Sequence, residues 1–121
     1  MADAPFDLPG LRAAYASGAL TPSSLIATLY PKLLASGCIF IHLQPLDLLQ
    51  QRCAELEAVP VVKRGILWGV PFAAKDNVDI AGMPTTAACP AFKYAPKDSA
   101  PAVATLLIAG RAEVSTWLGV L

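Results

Sequence analysis

Charge is scarce in this sequence: Asp, Glu, Lys and Arg make up 15% of 121 residues, against about 25% in ordinary domains. Nine basic and nine acidic residues cancel, which removes any electrostatic case for nucleic acid or acidic lipid as a partner. One histidine, His42, cannot seed a His/Cys metal cluster and reads as a satisfied side chain at a strand end. Three cysteines, Cys38, Cys53 and Cys89, are an odd number without CxxC spacing. That pattern suits reduced thiols in the cytoplasm. The longest uncharged apolar runs, around Gly65–Ala74 and Ala100–Gly110, fall short of the roughly 18–20 residues that span a bilayer. The opening Met-Ala-Asp-Ala-Pro-Phe-Asp has neither the basic start nor the apolar centre of a secretory leader.

Apolar residues, by contrast, are abundant at 55%. A chain this short has a high surface-to-volume ratio and is expected to be more polar than average. The composition therefore reads as the interior of something larger. A further segment or a partner covers the apolar surface, or the chain is a truncated product.

Eleven prolines punctuate the chain, mostly where element ends are expected. Asp7 to Gly18 carries a short helical pattern with Pro9 near its start and Gly18 as its stop. Thr21-Pro22-Ser23-Ser24 opens a second helix, with Leu25, Leu29 and Leu33 on one face to about Ala35. Gly37 breaks it, and Ile39-Phe40-Ile41 is a short β-prone run. Pro45 begins a third helix with the stripe Leu46, Leu49, Cys53 and Leu56, and Pro60 ends it. Asp98 or Ser99 is the expected cap of a last helix along Val103, Leu106 and Leu107 to Gly110. Residues 112–118 are a candidate strand. Helices and strands in this order, with connections too long for hairpins, predict an α/β fold with parallel pairing. No domain boundary is visible within residues 1–121.

The uncharged run Gly65–Ala74 predicts a strand buried on both faces, with Trp68 and Phe72 on one side. Lys75 stands where that strand emerges, followed by the polar loop residues Asp76, Asn77, Asp79, Gly82 and Pro84. Taking an amine out of water favours its neutral, basic form, so such a position suits a general base. The bland alternative is a solvated lysine paired with Asp76 or Asp79. Those loop residues are expected to hold the turn through hydrogen bonds to the backbone, or else to orient the lysine. Gly82 is expected at positive φ. Cys89 as a nucleophile is disfavoured, because His42 is the one histidine present to activate it.

Gly69-Val70-Pro71-Phe72-Ala73-Ala74-Lys75-Asp76-Asn77, with Gly82-Met83-Pro84-Thr85-Thr86, resembles the amidase signature family. The continuation Ala87-Ala88-Cys89-Pro90-Ala91-Phe92, the run Ile39–Leu43 and the helix start Leu20-Thr21-Pro22 are similar to its allophanate hydrolase branch. The resemblance covers about residues 8–110, and residues 111–121 form a divergent tail. A shifted reading frame, an alternative exon or a misplaced gene end accounts for such a tail.

The resemblance implies the N-terminal portion of one larger α/β domain, a mixed sheet flanked by helices. It implies hydrolysis of C–N bonds in small amide or urea-type substrates, without metal or organic cofactor. A lysine takes a proton through a bridging serine, so that a second serine attacks the carbonyl. Lys75 matches that catalytic lysine. Neither serine has a counterpart here, since Ser23-Ser24 precedes the lysine and sits at a helix cap. The chain by itself is therefore expected to leave Lys75 in water and to be inactive or nearly so. A rival reading is a non-catalytic piece that binds a full-length amidase or a second copy of itself, as a homo-oligomer. A general amidase or amidotransferase subunit of the same family differs from the leading reading in substrate alone.

Overall fold

The computed structural model describes residues 7–37, 39–87, 89–103 and the backbone of 117–120. Helix α1 spans Leu8–Ser17 and starts as its sequence demands: the Asp7 carboxylate accepts the Gly10 amide at 2.6 Å. Gly18, at φ 77, closes it in the left-handed conformation that glycine adopts without strain. Helix α2, Pro22–Ala35, opens with a reciprocal cap. Thr21 Oγ1 accepts the Ser24 amide at 3.2 Å, and Ser24 Oγ accepts the Thr21 amide at 2.9 Å. Caps of this kind contribute about 1 kcal/mol. Pro31 lies inside α2 rather than at an element end, so the helix forgoes one backbone bond there. Helix α3, Leu46–Glu57, buries Leu49, Cys53 and Leu56, the expected stripe.

The two long helices pack together. Ile26 from α2 meets Leu49 and Cys53 from α3, with Leu29, Tyr30, Leu33, Phe40 and Leu46 around them. Fully burying side chains of this size contributes about 1.5–3 kcal/mol each. A second cluster, Ala74, Ile80, Met83 and Val103, with Phe72 and Val78 against it, lies beneath the Lys75 loop.

Three short strands form one mixed sheet. Strand β1 is His42–Leu43, β2 is Phe72–Ala74 and β3 is Trp117–Val120, in the order β1-β3-β2. β3 runs parallel to β2 and antiparallel to β1, with a register shift between Phe72 and Ala73. The parallel pairing expected of an α/β fold is present.

Two strand positions differ from expectation. The β-prone run Ile39–Ile41 precedes β1 instead of forming it, and Ile39 and Ile41 are exposed. The predicted strand Gly65–Ala74 shrinks to its last three residues. Residues 66–69 form turns closed by Trp68 N to Gly65 O and Val70 N to Leu67 O, both at 3.1 Å. Gly69, at φ 71, reverses the chain in a conformation no strand residue takes. Trp68 and Phe72 therefore do not share a strand face; Trp68 is buried near α1 and Phe72 packs on the second cluster. A short apolar run does not by itself distinguish a strand from a buried turn.

Residues 101–103 are helical, and the rest of the expected last helix lies outside the described residues. So do positions 112–116 of the candidate strand, whose last two positions fall in β3. Ser99, an expected cap, accepts the Ala81 amide at 2.9 Å. No helix among the described residues is long and apolar enough to cross a membrane.

Candidate active site

Lys75 follows β2 directly, and Ala74, the last strand residue, is buried while Lys75 is exposed. The chain turns at once, with Val78 N bonded to Lys75 O at 2.9 Å. Lys75, Asp76, Asn77 and Ala87 line a cleft of about 150 Å³. The lysine is thus in water, lining a small cleft, rather than desolvated.

The two acidic side chains of this loop bond to residues of the 85–94 segment. Asp76 is 2% exposed. Its Oδ1 accepts the Thr86 amide at 2.9 Å, its Oδ2 accepts the Thr86 hydroxyl, and its carbonyl accepts the Ala87 amide at 3.2 Å. Asp79 Oδ1 accepts the Thr85 hydroxyl at 2.9 Å and the Tyr94 hydroxyl. That bond to Asp79 holds the Tyr94 phenol above its ordinary range. Thr85 and Tyr94 also exchange backbone bonds, Thr85 N to Tyr94 O at 2.9 Å and Tyr94 N to Thr85 O at 3.0 Å. Ala100 N closes onto Asp79 O at 2.8 Å. The 75–79 turn is therefore fastened to Thr85, Thr86 and Tyr94 by the Asp76 and Asp79 side chains, and to Ala87 by the Asp76 carbonyl.

Gly82 has the positive φ expected of it, 86. Ala87 has φ 49, a left-handed conformation that a side chain occupies at a cost. Nothing in the sequence singles Ala87 out. Ser24 belongs to the α2 cap, and Ser23 gives its amide to Glu57 at 2.8 Å. His42 Nε2 lies 3.2 Å from Gln44 Oε1. Cys53 is buried and Cys89 half-buried, neither in a disulfide, and Cys38 lies outside the described residues. No group of three or more His, Cys, Asp or Glu able to hold a metal occurs among the described residues.

Lys75 and its loop fall inside the region, residues 37–115, matched by the family model described as Amidase. The chain belongs to the amidase family. The chain is 59% identical over 44 residues to the urea amidolyase of Lachancea kluyveri, a match covering 36% of this chain and 2% of that protein. Against the urea amidolyase of Saccharomyces cerevisiae the identity is 54% over 44 residues, with the same shares.

Among solved amidase structures, the allophanate hydrolase of Kluyveromyces lactis superposes with a TM-score of 0.74 at 28% identity, over 95% of this chain and 19% of that one. The native peptide amidase of Stenotrophomonas maltophilia gives 0.80 at 27% identity, over 97% and 24%. The chain thus spans a minor part of the length of each relative, and within that part it has the amidase signature architecture.

Proposed function

We propose that these 121 residues form part of one amidase domain that hydrolyses C–N bonds of small amide or urea-type substrates, with Lys75 as its general base. The carrying observation is the placement of Lys75: the first residue past β2, on the cleft shared with Asn77 and Ala87, inside the matched region. In this reading the lysine amine draws a proton through a bridging serine from a nucleophilic serine. The nucleophile then attacks the carbonyl carbon, the C–N bond breaks as the leaving nitrogen takes the proton, and water attacks the resulting acyl-serine, releasing the acid and returning a proton to the serine. The urea amidolyase and allophanate hydrolase likenesses favour a urea-derived carboxylate or amide as substrate.

Neither serine is matched among these residues, so hydrolysis by them alone is expected to be weak or absent. The test measures allophanate and amide hydrolysis by the chain alone and mixed with a serine-bearing remainder of an amidase domain. Turnover is expected in the mixture and is expected to fall about 10²–10⁴-fold in Lys75→Ala. Turnover that survives Lys75→Ala sinks the assignment of the base, and robust turnover by the chain alone sinks the need for outside serines.

The second reading, association with a full-length amidase or with a second copy, draws on a groove of about 660 Å³ between α1 and the 61–68 segment. Val61, Val62 and Ile66 are exposed beside it. A discrete oligomer by light scattering supports that reading, and a monomer excludes self-association.

A further inference from the structure

Resting on the reading of Lys75 as the base, we propose that Asp76 is a positioning residue for the Lys75 side chain. Asp76 acts by clasping Thr86 and Ala87. Two features of the geometry carry this. First, a carboxylate that is 2% exposed stands directly beside an exposed lysine. Burying a carboxylate is costly unless hydrogen bonds compensate it, and Thr86 supplies two, from its amide and its hydroxyl. Thr86 therefore anchors the Asp76 side chain, and the backbone that joins it to Lys75 is held with it.

Second, the clasp reaches across the cleft. Asp76 O takes the Ala87 amide at 3.2 Å, and Ala87 lines the same cleft as Lys75. Ala87 sits at φ 49, a conformation that persists only where surrounding bonds over-determine it. One residue thus holds both walls: Lys75 through the peptide bond and Ala87 through a hydrogen bond. Displacing a catalytic group by about 1 Å costs up to about 100-fold in rate, so a base on a flexible four-carbon stem gains from such a mount.

The test reads the amine itself. Reductive ¹³C-methylation labels all five lysines, and the Lys75 signal is the one lost in Lys75→Ala. In Thr86→Val, which removes the hydroxyl and keeps the amide, and in Asp76→Asn, that signal is expected to shift while the other four hold. Thr86→Ser, which keeps both donors, is expected to restore it. Backbone spectra of each variant establish that the fold is retained. A Lys75 signal unmoved in folded Thr86→Val overturns the proposal, since a merely structural clasp lowers stability without touching the amine. Should Asp76→Asn fail to fold, Thr86→Val and Thr86→Ser decide the matter between them. Hydrolysis that survives Lys75→Ala ends the catalytic reading, whatever the signal does. A Lys75-dependent activity with an unmoved signal ends the positioning role alone.

Discussion

The Tyr15 hydroxyl donates to the Gly69 carbonyl at 2.7 Å, tying α1 to the turn that leads into β2. The same Tyr15 ring meets Trp68 edge-on, with centroids 5.2 Å apart. Arg64 lies 3.8 Å from the centre of the Trp68 ring on which it stacks, and Trp68 Nε1 donates to Leu56 O at 2.9 Å. This knot of side chains sets where the Lys75 strand begins.

Gly69→Ala is expected to destabilise the chain by about 2–4 kcal/mol, combining left-handed strain with overpacking. At φ 71 an added Cβ meets Tyr15 Cε2 at 3.0 Å and Pro22 Cγ at 3.1 Å. Urea denaturation of the two proteins measures the loss. A difference under about 0.5 kcal/mol, the range of neutral surface changes, contradicts the packing described.

Burial, then the nearby Cys53 and Glu57, raise the Tyr15 phenol above its ordinary range. A raised folded-state value means the group contributes stability fully below the unfolded value of about 10. That contribution is lost as pH climbs above it toward the folded value. Unfolding free energy should therefore decline through the alkaline range, and the decline should be shallower in Tyr15→Phe. At neutral pH the same variant is expected to lose about 1–3 kcal/mol, because it strands the Gly69 carbonyl. Denaturation series at several alkaline pH values check both; identical slopes in the two proteins refute the assignment.

Lys75→Ala should leave stability within about 0.5 kcal/mol, as exposed substitutions do, since Lys75 is exposed while Asp76 is buried. Thermal and urea midpoints of the variant test this. A large loss of stability assigns Lys75 a structural role and makes its effect on turnover uninformative.

The helices were legible in the sequence because their signals are local. Asp7, Gly18, the Thr21–Ser24 pair and the stripe Leu49, Cys53, Leu56 do in the structure what their spacing implies. The strands were less so. Gly65–Ala74 looks like one buried strand until Tyr15 of α1, bonded to Gly69 O, and Leu56 O of α3, bonded to Trp68 Nε1, hold its first half as a corner. The position of Lys75 at the end of a strand was readable from its neighbours. That Asp76 bonds to backbone was expected of it, but its partner was not readable, because Thr86 lies ten residues on and the pairing is tertiary. The left-handed Ala87 carries no mark in the sequence at all.

β3 lies between β1 and β2. During synthesis, then, neither earlier strand acquires this ladder until residues 117–120 have left the ribosome. The α2–α3 pair can form well before that, from neighbours close in the chain. Closure across such a separation is slow, so the strand that presents Lys75 is expected to be locked in place after the α2–α3 pair.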